Sequence, residues 1–161
     1  MNRGYHEIKE HGKREFPFNI YPCSIPVDFS HVALHWHEEM EIIAVKKGKG
    51  RITVDTVSYP VEEGDILAVF PGQLHAISCG NGERMEYENI IFHPNMLISK
   101  KTDTCNTDYL VPLLSGNVSL PLLYTPDSPH YAEISACIDA NDEICKTYPS
   151  GYQLFIKGQL F

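Results

Sequence analysis

Two short stretches of the sequence concentrate side chains that bind metals and polar ligands. The first is His35-Trp36-His37-Glu38-Glu39-Met40-Glu41, and the second runs from Gly64-Asp65 to Pro71-Gly72-Gln73-Leu74-His75. Three imidazoles and the carboxylate of Glu41 at these spacings can converge on one point inside a small β-barrel. Such a cluster suits a metal ion, a polar small ligand or a buried hydrogen-bond network. The spacing alone leaves these three interpretations open.

Short strands must position these residues. Between Val32 and about Phe92 the apolar residues recur at strand spacing and turn signals separate the runs, which predicts a β-sandwich or small barrel. The predicted strands are residues 16–21 (at a sheet edge), 32–36, 41–45, 51–57, 66–70, 75–79 and 84–92. Lys47-Gly48-Lys49-Gly50 is predicted as a turn. Asn81-Gly82 is the strongest hairpin signal, because a type I′ turn needs positive φ at both central residues.

The two-residue period of a strand places His35, His37 and Glu41 on one face. The opposite face is also apolar and carries Val32, Leu34, Trp36, Met40, Ile42 and Ala44. Because a sheet with one solvated face would show polar residues there, we expect this outer face to be covered by helices or by a second subunit. Trp36 is therefore predicted to pack under a helix or in a dimer interface.

Three regions make up the predicted domain organisation. Residues 1–15 are polar and aperiodic, which predicts a flexible arm, and residues 16–125 form the barrel, with a loop at 100–118 and a short strand at 120–124. Residues 126–161 form a helical pair. Ser128-Pro129 is typical of an N-cap with proline at the first helical position, and a second helix starts near Ser150. That helix reaches Phe161 in mid-pattern, so we expect a fragment cut at a domain boundary.

Composition excludes several classes of protein. The formal charge of −8 argues against direct binding of nucleic acid, which needs clustered Lys and Arg. The five cysteines form no Cys-x-x-Cys pair, and their odd number is atypical of a secreted disulfide framework. The start of the chain lacks the apolar region of a signal peptide, and no stretch approaches a membrane span. The sequence thus predicts a soluble, reduced, cytoplasmic protein.

The two motifs resemble those of the cupin superfamily. His35-x-His37-x-x-x-Glu41-x6-Gly48 matches the first cupin motif position by position, and Gly64-x7-Gly72-x-x-His75 matches the second. The second motif departs twice, since Phe70 replaces the usual proline and Cys79 replaces the expected asparagine. The resemblance implies a mainly β fold, a cupin jelly-roll barrel or sandwich, followed by two C-terminal α-helices. Cupin enzymes use the four matching positions to hold a divalent metal.

A narrower resemblance covers nearly the whole chain. Residues 35–42, 64–75 and 90–97, together with the two closing helices, look like the N-terminal sensor domain of AraC/XylS-type transcription regulators. In that family an N-terminal cupin binds an effector and dimerises, and a C-terminal pair of helix-turn-helix units binds DNA. The resemblance implies an effector-sensing and dimerisation domain, with the DNA-binding part absent from this chain. It further implies a small-molecule effector, such as a sugar or related metabolite, a homodimer and no membrane partner.

This resemblance assigns the candidate site. We expect ligand contacts from His35, His37, Glu41 and His75, with Tyr87 as a further ligand contact or as a core residue, and no catalytic residue. The first four are also candidate ligands of one divalent transition metal, Zn, Ni or Fe, unless they only hydrogen-bond to one another, to water or to a ligand. The alternative functions are a metal-dependent cupin enzyme, such as a dioxygenase or sugar isomerase, and an interaction module with an occluded barrel.

Overall fold

The computed structural model describes residues 3–99, 101 and 103–161. The strands are β1 (Phe18–Ile25), β2 (Val32–His35), β3 (Met40–Val54), β4 (Val57–Glu62), β5 (Ile66–Val69), β6 (His75–Ser78), β7 (Met85–Phe92) and β8 (Leu123–Tyr124). The helices are a π-helical segment (Cys105–Leu110) that continues into α1 (Val111–Leu114), then α2 (Tyr131–Cys145) and α3 (Tyr152–Leu160), with short 3-10 turns at Arg3–Tyr5 and Pro94–Met96.

The long strand β3 belongs to both layers of the barrel. Its first half lies between β5 and β7 in a layer with the order β1-β7-β3-β5-β8, and its second half lies between β4 and β6, with β2 beside β6. Every strand pair is antiparallel. Two sheets that share a bent strand enclose a common interior, so the predicted mainly β jelly-roll barrel followed by helices is confirmed.

The predicted turn at Lys47-Gly48-Lys49-Gly50 is wrong. The chain does not reverse there, because β3 continues through a bulge between Val45 and Lys47. Gly48 has φ +79°, and a Cβ on it would collide with the carbonyl of Arg84. The Gly-rich stretch therefore bends the strand from one layer into the other rather than ending it.

The hairpin predicted at Asn81-Gly82 is also wrong. This turn joins β6 to β7, but β6 pairs with β2 and β3 whereas β7 pairs with β1 and β3. The segment is thus a crossing between layers. A tight two-residue hairpin lies instead at Asp55-Thr56, where Val54 pairs with Val57 and Asp55 adopts φ 53°. Aspartate tolerates this left-handed conformation better than most residues.

Two apolar clusters lie on the two faces of the β1-β7-β3-β5 layer. The inner cluster contains Ile43, Val45, Ile52, Leu67, Ile77 and Tyr87, and the outer cluster contains Ala44, Ile66, Ile90, Phe92, Ile138 and Ile156. Ile138 of α2 and Ile156 of α3 supply the cover for the outer face. Of the two predicted covers, helices or a second subunit, helices are therefore present.

The helix boundaries differ from the predicted ones at two points. Helix α2 begins at Tyr131 rather than after Ser128, because the Ser128 hydroxyl accepts a hydrogen bond from the Thr125 backbone N–H and closes the preceding turn (2.9 Å). Residues 105–114 are helical where a loop was predicted. Helix α3 starts at Tyr152, close to prediction. Within the described part of the chain, none of the helices has the length and apolarity needed to cross a membrane.

Candidate functional site

Four predicted ligand residues converge at one end of the barrel. His35 ends β2, His75 begins β6, and these two residues are register partners. Glu41 lies on β3 with its side chain inward and 2% exposed, and His37 lies in the link between β2 and β3. One ligand atom from each of the four residues lies within 4.8 Å of every other. The structure thus brings together the residues that the two motifs nominate.

Each imidazole is oriented by a backbone carbonyl. Nδ1 of His35 lies 2.9 Å from the Ala33 oxygen, Nδ1 of His75 lies 3.0 Å from the Gln73 oxygen, and Nδ1 of His37 lies 3.2 Å from the Glu39 oxygen. Because a carbonyl only accepts, Nδ1 carries the proton in all three rings. In the neutral rings this leaves the inward-facing Nε2 atoms with a free lone pair, which is the tautomer that binds metals.

The carboxylate of Glu41 makes the four-residue cluster suitable for a cation. Its Oε2 lies 3.0 Å from Nε2 of His37 and 3.1 Å from Nε2 of His75. A lone pair on Nε2 cannot bond to a carboxylate oxygen unless a proton or a cation lies between them. Three imidazoles and one carboxylate are also donors that Zn, Ni and Fe accept. The residues present therefore fit a divalent transition metal.

Burial and these contacts shift the pKa values of the residues in the cluster. Burial alone would raise the pKa of Glu41, but the hydrogen bonds from His37 and His75 outweigh it and lower the pKa to about 2. Burial would lower the pKa of His75, yet the contact with Glu41 outweighs burial and raises that pKa. Burial and the neighbouring His75 lower the pKa of His35. The acid is thus anionic at neutral pH and His35 is neutral.

A cavity of about 460 Å³ opens beside the cluster. His35 and Glu41 form part of its wall, and Tyr87 and Asn89 of β7 line it further along. Tyr87 is 1% exposed, packs in the inner apolar cluster, and its hydroxyl makes no hydrogen bond of good geometry to the described residues. Burial raises its pKa, and the adjacent Cys23 thiol adds to this. Tyr87 is therefore both a core residue and a cavity residue.

The sequence did not nominate Glu7, which the structure places at the same site. Its Oε2 lies 3.6 Å from Nε2 of His35 and 3.6 Å from Nε2 of His11. The close contact with His11, more than the charge of His35, lowers the pKa of Glu7. A polar, aperiodic segment gives no signal of where it lies. The only available signal was the acidic side chain itself, which lies five residues before Gly12-Lys13-Arg14.

Backbone hydrogen bonds hold this segment against the barrel. The Glu7 N–H donates to the Trp36 carbonyl and the Trp36 N–H donates to the Tyr5 carbonyl, both at 2.9 Å. The ring of His6 stacks on Trp36 with centroids 4.2 Å apart. The predicted place of Trp36, under a helix or in a dimer interface, is corrected here, because the N-terminal segment covers this residue.

A larger cleft lies elsewhere and lacks comparable chemistry. It measures about 850 Å³ and is lined by residues of β3, β4 and β6 and by the chain around Thr125. Its Lys49 and Glu83 form an ion pair with each other at 3.0 Å. Residues 3–99, 101 and 103–161 contain no second group of His, Cys and acidic residues that could hold a metal. The histidine cluster and its smaller cavity are therefore the candidate site.

The chain is similar in sequence to known proteins. An uncharacterised HTH-type transcriptional regulator of Bacillus subtilis (strain 168), YdeC, is 24% identical over 162 residues, which cover 99% of this chain and 54% of the relative. The chain thus spans about half the length of that curated relative. A cupin protein from Bacteroides fragilis is 24% identical with a TM-score of 0.39, over 53% of this chain and 70% of that one.

A second solved structure and a family match complete the comparison. An RmlC-like cupin with a double-stranded β-helix fold from Methanocaldococcus jannaschii is 21% identical with a TM-score of 0.44, over 52% of this chain and 76% of that one. Residues 26–140 match the family described as the AraC-like ligand binding domain, which confirms the resemblance stated from the motifs. This match extends over most of the sequence, and the chain therefore belongs to the AraC-like ligand binding domain family.

Proposed function

We propose that this chain is the effector-sensing and dimerisation domain of a transcription regulator that binds DNA through a helix-turn-helix part outside the chain. The family match and the HTH-type relative support this role, and so does the acidic charge of −8, which is unsuited to direct DNA contact. The observation on which this proposal depends is a cavity of about 460 Å³ beside the cluster of His35, His37, Glu41 and His75. Such a regulator works in the cytoplasm.

The proposed effector is a small polar metabolite, such as a sugar or a related compound. His35, Glu41 and Tyr87 line the cavity. His37 and His75 each contact the carboxylate of Glu41 through Nε2. A pocket of a few hundred Å³ with a few polar groups on an apolar wall is typical of small-molecule sites. These five residues are the proposed ligand contacts.

We further propose that His35, His37, Glu41 and His75 hold one divalent ion, Zn, Ni or Fe. The inward Nε2 atoms and the two short contacts to one carboxylate oxygen support this proposal. A bound ion supplies a positive centre that attracts an oxygen of the effector. The protein's own residues orient the imidazoles and exclude water from the buried side of the cluster.

The proposed homodimer forms through the helical end. Leu154, Phe155 and Phe161 leave large apolar surface exposed on or next to α3. Apolar surface of this kind is typical of subunit interfaces. For effector binding to act on DNA, the effector must bind two arrangements of the protein with different affinities.

The donor set with its cavity also favours one alternative, a metal-dependent cupin enzyme such as a dioxygenase or sugar isomerase. Both proposals require binding in the same cavity, but only an enzyme consumes the compound that it binds. In a binding domain, the compound that raises the melting temperature is recovered unchanged after incubation. Conversion of the compound would favour the enzyme.

The test combines metal content with ligand binding. Wild type purified without added metal, His37→Ala and the control His130→Asn are compared by elemental analysis and by melting temperature against a panel of sugars and sugar acids. Asparagine suits the control because His130 has φ 61°, which asparagine tolerates. We expect stoichiometric metal and a ligand-induced shift in wild type and control, and neither in His37→Ala. Absence of any shift in wild type would favour the interaction module with an occluded barrel.

A further inference from the structure

We propose that Asp55 is a positioning residue for the histidine cluster, because its carboxylate fixes the loop whose backbone orients the ring of His75. This inference rests on the metal site proposed above. Asp55 lies outside both sequence motifs, at the tip of the hairpin that joins β3 to β4. The loop that it fixes comprises residues 70–74 and joins β5 to β6.

Strand pairing alone does not orient the imidazole of His75. His75 is the first residue of β6, and the carbonyl that accepts from its Nδ1 belongs to Gln73, two residues before the strand begins (3.0 Å). The conformation of the loop therefore determines where that carbonyl points. A ring that lacks this partner can rotate or carry its proton on the other nitrogen, and Nε2 then no longer presents its lone pair to a metal.

Asp55 holds the loop through both of its carboxylate oxygens. Oδ1 accepts a hydrogen bond from the Leu74 backbone N–H (3.2 Å), and Oδ2 accepts one from Nε2 of Gln73 (3.1 Å). The backbone adds a third bond, from the Asp55 N–H to the Leu74 carbonyl (2.6 Å). The side-chain amide of Gln73 is also held at its oxygen, since Oε1 accepts from the Phe70 N–H at 2.8 Å. A continuous row of hydrogen bonds therefore connects the hairpin to the loop.

The same loop also contacts a second ligand residue. The Gly72 N–H donates to the carbonyl of His37 at 2.8 Å. His37 and His75 both contact Oε2 of Glu41 through Nε2. A shift of the loop therefore changes the separation of two imidazoles that share one carboxylate oxygen. Because a metal site tolerates only small changes in ligand position, we expect the fixation of this loop to affect metal affinity.

The competing interpretation is that Asp55 only stabilises the hairpin. Asp55 is exposed, and its φ of 53° is a conformation that aspartate and asparagine tolerate. Under that interpretation, replacing its carboxylate lowers the melting temperature and leaves the folded site unchanged. The two interpretations thus differ in metal binding and in the hydrogen bonding of His75.

Reversing the donor and the acceptor in the pair of Asp55 and Gln73 gives a sharp test. In Asp55→Asn, the N–H groups of Leu74 and Phe70 each still need an acceptor, so the two side-chain amides must meet NH2 to NH2 or leave one backbone N–H facing a donor. In Gln73→Glu, two carboxylates meet instead. The double variant Asp55→Asn/Gln73→Glu restores every donor–acceptor pair and keeps the net charge of wild type.

Cobalt(II) titrations followed by visible spectra are the first readout, at a temperature at which every variant is folded. We expect Asp55→Asn to weaken cobalt affinity about tenfold and to change the spectrum, as is typical when the support of a metal-binding histidine is lost. Gln73→Glu should also change the spectrum, and the double variant should restore both properties. The control is Glu83→Gln, which removes a carboxylate that accepts from the Gly80 N–H in a different loop, and it should behave as wild type.

A second readout needs no metal. NMR of protein with nitrogen-15-labelled histidine follows the Nδ1 proton of His75, which the hydrogen bond to the Gln73 carbonyl protects from exchange with water. Exchange should be slow in wild type, in the double variant and in Glu83→Gln, and faster in Asp55→Asn.

Two results would overturn the role of Asp55. One is a lowered melting temperature with unchanged affinity, spectrum and exchange in Asp55→Asn. The other is a loss of affinity that the double variant does not restore, because the hydrogen bonds would then not be its cause. A wild type that binds no cobalt, zinc or nickel would overturn the proposed metal site instead, and the exchange measurement would still decide whether Asp55 positions His75.

Discussion

His35 and His75 face each other as register partners of antiparallel strands β2 and β6, with ring centroids 4.1 Å apart. Side chains directly opposite each other in such a pair lie on the same face of the sheet. The two motifs are distant in sequence, yet one strand pairing is enough to bring their imidazoles together. Since two protonated rings would repel each other here, the site favours at most one imidazolium in this pair, and the pKa shifts place it on His75.

Acid should destabilise the metal-free protein through Glu41. Its pKa falls from 4.5 in the unfolded chain to about 2 in the folded protein. A lowered folded pKa stabilises the protein above pH 4.5, and this contribution is lost as the pH falls toward 2. Urea denaturation of wild type and Glu41→Gln at pH 7, 4.5 and 3 measures it. We expect a deficit on the order of 3 kcal/mol at pH 7 for the variant and a smaller deficit at pH 3. A deficit that does not change with pH would contradict the prediction.

Metal affinity should rise with pH over the range in which His75 loses its proton. The pKa of His75 is raised above 6.5, so in the metal-free protein its stabilising contact with Glu41 is complete below pH 6.5 and is lost as the pH rises through the raised value. A metal and this proton compete for the same nitrogen. Zinc titrations at pH 6, 7 and 8 should show steadily tighter binding. Equal affinity at all three values would mean that His75 is not a ligand.

Two substitutions of Tyr87 should distinguish its role in packing from its role in ligand recognition. Its ring is in the inner apolar cluster, whereas its hydroxyl makes no hydrogen bond of good geometry to the described residues. Tyr87→Phe should therefore change the free energy of unfolding by less than about 1 kcal/mol, and Tyr87→Ala should cost about 3–5 kcal/mol. Tyr87→Phe should still reduce the ligand-induced shift in melting temperature. A shift identical to that of wild type would remove the hydroxyl from the ligand contacts.

The strand faces and the four-donor cluster could be predicted because they depend on local alternation. His35 and Glu41 point inward as the two-residue period requires, and the register of β2 with β6 then brings in His75. In β3 the predicted outward residues Met40, Ile42 and Ala44 do pack in or against the outer apolar cluster. The prediction is wrong for Val32, which packs against the inner cluster because the register of β2 shifts between Val32 and His35. The strand faces follow from positions on a strand, whereas the meeting of His75 with His35 requires the pairing of β2 with β6.

Other features depended on contacts that a single sequence does not encode locally. Gly48 looked like a turn residue, but its positive φ serves a bulge that lets β3 join two layers. Ser128 has the chemistry of a helix cap, yet its hydroxyl closes the preceding turn. Glu7 and Trp36 come together only because the N-terminal segment pairs with the barrel rim. In each case a non-local partner decides between two locally reasonable structures.

Helix α3 should contribute to stability through one buried side chain. Ile156 is 0% exposed and packs in the outer apolar cluster with Ile90 and Ile138, whereas Leu154 on the same helix is 79% exposed. Ile156→Ala leaves a cavity between helix and sheet and should cost about 2–5 kcal/mol. Leu154→Ala should stay within about 0.5 kcal/mol of wild type, because it removes surface that is already in water. Urea denaturation of both variants, below the concentration at which the protein dimerises, measures the difference. Equal effects would mean that α3 is not docked on the barrel in solution. In a separate measurement of molecular mass at a concentration that favours the proposed dimer, a loss of dimer with Leu154→Ala would support this face as the proposed subunit interface.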